Sequence, residues 1–408
     1  MKLSLALITA LIVLLLPFSG LAEEAGTVSA DYEPLWTLAE PYGFKLGGAF
    51  SYEDMNNRVF LDFLGRHFNS LTCCNETKAY SLLDQRKSQA AEDGMPRMSY
   101  SKADLMISWA QKQNIRIRGH VLVWDAYMTQ WFFHEGYDMG KPVADRETMR
   151  ARLASYIDQV ITHFEEKYPG VIYCWDVVNE AIGDSGTEFR LSDPRHLRTM
   201  RSGSSNCFLD YVGDDYVEYA FLCARNTVDR LGADIKLFYN DYNLFFPQKR
   251  QAACALAKCI QAYAVDENGE PRSLIDGMGM QGYMGGYGVQ SGCLDPSIIT
   301  NVKKSIETYA SLGLEVQLTE MAVRNFDKSK VAEHDAFYSR LFSDVFMQAN
   351  SEENAPLTAV CIWGLVDAYP GMKGSYVYNL NSPYGCLLTT NYKIKTCFDA
   401  VYHTLKGE

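Results

Sequence analysis

Eight short apolar segments recur along the chain, each followed by a longer stretch: FKLGGAF (44–50), FNSLTCC (68–74), IRIRGHVLVW (115–124), VIYCWDVVN (171–179), IKLFYND (235–241), GMGMQGYM (277–284), LEVQLTEMAV (314–323) and LTAVCIWGLVD (357–367). In VIYCWDVVN, Val171, Ile172, Tyr173, Val177 and Val178 make a stretch of strand formers, the pattern of a strand covered on both faces. Between the segments lie helical patterns. In ETMRARLASYIDQVITHFEEKY, residues Met149, Leu153, Ile157, Val160, Ile161 and Phe164 recur at helical spacing, and SKADLMISWAQKQN reads the same way. Strands alternating with helices predict an α/β chain folded as a single (β/α)8 TIM barrel, with a doubly wound sheet as the alternative.

The strand ends are as informative as the strands. VIYCWDVVNEA is built to be buried, yet it finishes on Asn179 and Glu180. A carboxylate is costly to bury, so Glu180 is expected where the strand emerges, at the C-terminal mouth where barrel enzymes keep their chemistry. The bland alternative is an Asn-Glu pair opening a surface loop. Other strands end in the same manner: His120 and Trp124 on the third, Asn240 and Asp241 on the fifth, Gln281 and Tyr283 on the sixth, Glu320 on the seventh, Trp363 and Asp367 on the eighth. Six such endings at one end of eight strands describe a lined cleft.

Glu180 and Glu320 are the two Glu residues that close apolar strands, the fourth and the seventh, which face each other across a barrel mouth. Two facing carboxylates suit glycoside hydrolysis, one protonating the leaving oxygen and one attacking or stabilising the anomeric carbon. A metal hydrolase would want His ligands, and of seven His only His120 sits at a strand end. No G-x-S-x-G elbow of a serine hydrolase occurs. We therefore expect no metal and no cofactor. Gly277, Gly279 and Gly282 spell a dinucleotide fingerprint, but they fall within the sixth strand and not at a strand-to-helix turn.

Residues 1–22 read as an export signal: Lys2, an apolar core from Leu3 to Phe18, then small residues up to Ala22. The expectation is a secreted protein whose residues 23–408 form one catalytic domain. No later stretch reaches the ~20 apolar residues of a membrane span, so no membrane partner is expected. The net charge of −12 and the lack of a Lys/Arg cluster argue against nucleic acid. Eleven cysteines is an odd number, so at least one stays unpaired or pairs outside the chain. Cys254 and Cys259 are close in sequence but lack zinc or thioredoxin spacing, and Cys174 and Cys361 lie in apolar strands as small hydrophobes.

HFNSLTCCNETK, RGHVLVW, WDVVNEA, LFYNDYN, GMGMQG, LTE and the WG-x-x-D pattern of WGLVD occur in one order from about Tyr32 to Leu405. In these blocks the chain resembles the endo-β-1,4-xylanases of glycoside hydrolase family 10. The resemblance implies a retaining barrel enzyme on xylan or a related β-1,4-linked plant polysaccharide, expected to act as a monomer. It implies Glu180 as acid/base and Glu320 as nucleophile, with Asn75, Lys78, His120, Trp124, Asn179, Gln281 and Trp363 lining the sugar sites. Asn179 can donate to a sugar 2-hydroxyl, and Asn75, though inside an N-x-T glycosylation acceptor, is read as a sugar contact.

The chain also departs from that pattern. It has Cys74 where Glu is usual, Asp125 for His, Tyr127 for Gln, Tyr283 for the His that contacts the nucleophile, and Ala322 for the Asp that holds that His. Gly371 stands where a second Trp is common. Tyr283 is accordingly expected at the substrate site, serving the nucleophile through its hydroxyl, with stacking on a sugar or plain packing as the alternative. Two alternatives follow from the departures: a retaining β-glycanase acting on another or a decorated polysaccharide, and a weakly catalytic barrel that binds polysaccharide.

Overall fold

All eight apolar segments become strands: β1 (Lys45–Phe50), β2 (Ser70–Cys73), β3 (Arg116–Val123), β4 (Ile172–Asn179), β5 (Lys236–Tyr242), β6 (Gly277–Gln281), β7 (Glu315–Val323) and β8 (Leu357–Ile362). The computed structural model describes residues 32–285, 294–351, 355–367 and 384–408. Each strand pairs in parallel with its successor, and β8 pairs with both β7 and β1, which closes a single barrel. Helices cover its outside, among them Ser101–Lys112, Arg146–Lys167, Tyr216–Leu231, Pro247–Ala262, Ser297–Ala310 and Thr396–Lys406. This is the (β/α)8 architecture that the alternation predicts.

The long helix Arg146–Lys167 shows why the pattern works. Asp145 caps it by accepting from the Thr148 backbone N–H, and Met149, Leu153, Ile157, Val160, Ile161 and Phe164 are all buried. Residues 1–22, Gly371 and residues 286–293 lie outside the described residues. Cys174 and Cys361 are buried free thiols on β4 and β8, as expected of small hydrophobes. Cys254 and Cys259 are free thiols on the helix Pro247–Ala262. Among the described residues, no helix is long and apolar enough to cross a membrane.

Three strands carry a one-residue slip at the level of the site. On β4 the partners run Asp176↔Phe238 and then Val178↔Tyr239. On β7 they run Leu318↔Val360 and then Met321↔Ile362, and on β3 His120↔Asp176 and then Val123↔Val178. An extra residue on one strand reverses the in–out alternation beyond it and re-aims the next side chains, here those around Asn179 and Glu320. Glu180 then takes a left-handed backbone (φ 55), with its N–H donating to the Asn240 carbonyl, which turns its side chain back over the mouth.

Beneath the mouth the barrel interior is polar. Arg118 and Asp176, both fully buried, form a two-pronged pair at 2.7 and 3.2 Å, and the Arg118 Nε donates to Gln317. The second Asp176 oxygen accepts from His120 Nδ1 at 2.8 Å. Removing one partner of a buried pair leaves the other charge uncompensated. Asp176→Ala should therefore lower unfolding free energy by about 3–5 kcal/mol in a urea titration; a loss below ~1 kcal/mol would show that water or a neighbour replaces the carboxylate.

Candidate active site

Glu180 and Glu320 open into one cleft of about 500 Å³ at the C-terminal ends of the strands. The same cleft is lined by Lys78, His120, Trp124, Gln281, Tyr283 and Trp363, so eight of the ten residues expected at the site meet there. The other two stand directly behind. Asn75 accepts from Lys78 Nζ at 3.0 Å, and Asn179 lies buried between the carboxylates. A second cavity of about 470 Å³, flanked by Lys303, Glu307, Gln348 and Pro356, lies at the opposite end, where β8 begins.

A row of amides joins the two acids. Gln281 Nε2 donates to Glu180 Oε1 and to Asn179 Oδ1, both at 3.1 Å. Asn240 Nδ2 donates to Asn179 Oδ1 at 3.0 Å and to Glu320 Oε1 at 3.1 Å, while Thr319 holds the Asn240 oxygen. Asn179 thus has its oxygen fixed from both sides. Its buried Nδ2 has no partner among the described residues, so a donor is aimed and waiting. One of the fingerprint-like glycines serves this packing: a Cβ on Gly279 would sit 2.4 Å from Asn240 Oδ1.

The remaining contacts separate the two carboxylates. Tyr283 donates its hydroxyl to Glu320 Oε2 at 2.6 Å. Glu180 Oε2 accepts from Arg201 Nη1 at 2.9 Å. Burial pushes the Glu180 carboxyl up to about 7; Asp241 adds to the rise, and Arg201 and Gln281 pull against it. A carboxyl near 7 can hold a proton and also release it, as a group acting first as acid and then as base requires.

On the opposite wall, Lys78 Nζ lies 4.9 Å from the Trp124 ring centre and 4.3 Å from that of Tyr127. Burial lowers the Lys78 ammonium from its ordinary value, and Glu320 acts to raise it. His120 spends Nδ1–H on Asp176, which leaves Nε2 as the nitrogen available to a substrate. Trp363 is 1% exposed and packs with Ala49, Cys74 and Tyr283, so it is a floor under the cleft more than an open face.

The sequence profile of glycosyl hydrolase family 10 matches residues 35–404. The chain belongs to glycosyl hydrolase family 10. It is 33% identical over 345 residues to endo-1,4-beta-xylanase B of Butyrivibrio fibrisolvens, covering 83% of this chain and 48% of that one. It is 30% identical over 380 residues to endo-1,4-beta-xylanase A of Caldicellulosiruptor saccharolyticus, covering 91% and 95%. The chain thus spans about half the length of the Butyrivibrio enzyme and nearly all of the Caldicellulosiruptor one. Among solved structures, the N-terminal endo-1,4-beta-D-xylanase 10B of Clostridium thermocellum, complexed with xylohexaose, matches with a TM-score of 0.72 at 27% identity, over 89% of this chain and 66% of that one.

Within family 10, the departures of this chain are packed in pairs. Tyr283 reaches Glu320, and Ala322, 2% exposed, sits beside it with its N–H on the Gly282 carbonyl. Tyr127 packs against Trp124 with ring centres 4.4 Å apart and planes tilted by 36°. Asp125 meets Arg201, a residue that strand-end reasoning passes over because it lies in the polar stretch from Ser185 to Asn206. Arg324, which no motif singles out, lies over the Tyr283 ring at 5.0 Å and lines the cleft. Asn240 and Asp176 carry a readable signal: a polar residue inside an apolar strand must find a partner. His334, Asp335 and Cys397 are close enough together to hold a metal ion, but His334 Nε2 is spent on the Val323 carbonyl and Cys397 on that of Cys386.

The Tyr283 contact has a direct test. Tyr283→Phe keeps the ring and removes the donor, so kcat should fall by about 10–100-fold, as for a lost hydrogen bond to a charged group. KM and the unfolding midpoint should barely change. An unchanged kcat would make Tyr283 a packing residue.

Proposed function

We propose that the chain is a secreted, retaining endo-β-1,4-xylanase that hydrolyses internal bonds of xylan by double displacement, as a monomer. The observation that carries the chemistry is the asymmetric pair: Glu180 held near 7, Glu320 held by Tyr283 and Asn240, and Asn179 aimed between them. Protonated Glu180 gives its proton to the glycosidic oxygen while Glu320 attacks the anomeric carbon. The C–O bond to the leaving sugar breaks and an ester to Glu320 forms. Glu180, now ionised, takes a proton from water, whose oxygen attacks the same carbon and releases Glu320. Asn179 Nδ2 donates to the 2-hydroxyl, a contact that strengthens in the transition state.

Lys78, His120, Gln281, Trp124, Asn75 and Trp363 form the sugar-binding wall and floor in this reading. The substrate class is supported by the xylanase relatives, and export by the pattern of residues 1–22. The experiment is reducing-sugar release from linear xylan, mixed-linkage glucan and mannan, with the products of xylan resolved by size. Release from xylan, as a ladder of oligosaccharides, is expected. Preference for glucan or mannan would favour the other β-glycanase, and binding without release would favour a lectin-like barrel.

A further inference from the structure

The loop that follows Glu180 ends in a two-residue ladder, Met200–Arg201 with Ser204–Ser205, closed by Ser202 (φ 49) and Gly203 (φ 84). Positive φ at both turn residues matches the twist of a tight hairpin. The turn delivers one side chain into the cleft, Arg201. Its guanidinium grips Asp125 with Nε at 3.1 Å and Nη2 at 2.9 Å. The same group donates to Glu180 twice, from Nη1 to Oε2 at 2.9 Å and from Nη2 to the main-chain carbonyl at 3.1 Å.

From this geometry we propose that Arg201, clamped by Asp125, is a positioning residue that aims the Glu180 carboxylate and sets how high in pH the enzyme keeps working. The inference rests on the reading of Glu180 as acid/base. Arg201 holds Oε2, so Oε1, shared with Gln281, is the oxygen left to face the glycosidic bond. Bidentate Arg–carboxylate geometry is directional, so the Asp125 grip fixes where the Arg201 fork points. Asp125 also places a negative charge on the same guanidinium that meets Glu180, so it opposes the Arg201 charge there. The two residues therefore act on the Glu180 proton in opposite senses: Arg201 favours the anion and Asp125 favours the acid.

The other charged groups around Glu180 come from four directions. Asp241 on β5 and Glu320 on β7 favour the acid, and Lys78 after β2 favours the anion. Arg198 lies behind, with Nε 3.4 Å from the Glu180 carbonyl. None of these changes when Arg201 or Asp125 is replaced, which makes the pair separable.

The test uses the full chain with an aryl β-xylobioside whose poor leaving group needs protonation, following kcat/KM against pH. Arg201→Met should move the basic limb upward by about one pH unit, and Asp125→Asn should move it downward. Arg201→Lys should bring the limb back toward the wild-type position with a lower kcat, because the charge returns without the fork. Limbs that move in the same direction, or not at all, in proteins with native unfolding midpoints would overturn the proposal and leave the clamp a loop anchor. Titration of the Glu180 carboxyl by ¹³C NMR reads the same opposite displacements without substrate. Absence of turnover by the wild type would count against the xylanase reading, while the NMR arm still decides the clamp.

Discussion

Glu320→Ala is expected to lower kcat on xylan by about 10⁵-fold, the scale on which removal of a covalent nucleophile falls. No other acid can take over. Among the described residues lining the cleft, Glu180 and Glu320 are the carboxylates present, and Asp241 lies fully buried on Tyr239 and Lys249. Xylo-oligosaccharide binding should survive within about tenfold, since Lys78, His120 and the tryptophans are untouched; isothermal titration checks this. A variant retaining more than a few per cent of the wild-type rate would remove Glu320 from the chemistry.

Glu180→Ala should separate substrates by their leaving groups. Polymer hydrolysis is expected to fall by about 10²–10⁴-fold, the usual weight of a general acid. An aryl glycoside with a good leaving group, which needs little protonation, should still load onto Glu320, and added azide should restore turnover by replacing the activated water. The wild-type pH profile carries the same information. Because the first step needs the protonated form and the Glu180 carboxyl is held near 7, kcat/KM on xylan should fall as pH rises through about 7. In Glu180→Ala, with the activated substrate, that limb should vanish. Equal losses on both substrates, with no azide effect, would place the acid elsewhere.

The barrel was legible in the sequence because its strands are buried on both faces, which leaves apolar runs bounded by polar ends. Every one of the eight runs became a strand, and the long helix buried the six residues that its spacing had singled out. The facing acids were legible for a related reason: a Glu closing a buried strand has nowhere inexpensive to go but the mouth. Tyr283 could be inferred from two absences, the missing His and Asp, since a nucleophile still needs a donor.

What stayed hidden depends on contacts between distant segments. Arg201 lies 21 positions from Glu180 in a loop without periodicity, and only the Ser202-Gly203 turn hints that something is being presented. Asp125 alone looked like a loss, yet with Arg201 it is half of a clamp. Strand slips are invisible to pattern reading because they arise from register, which a single strand does not record. Trp363 lines the cleft as the resemblance implies, and its packing on Ala49 and Cys74, from β1 and the end of β2, is a further contact between distant segments.

Double displacement requires Glu320 to become covalently attached to the sugar while Glu180 handles the proton. Incubation with an activated 2-deoxy-2-fluoro xylobioside, followed by intact mass and peptide mapping, tests it most directly. Fluorine slows release of the intermediate more than its formation when a good leaving group is present. A single added glycosyl on the peptide carrying Glu320 is predicted, absent in Glu320→Ala. A label on Glu180, or turnover of xylan with inverted anomeric configuration and no adduct, would contradict it.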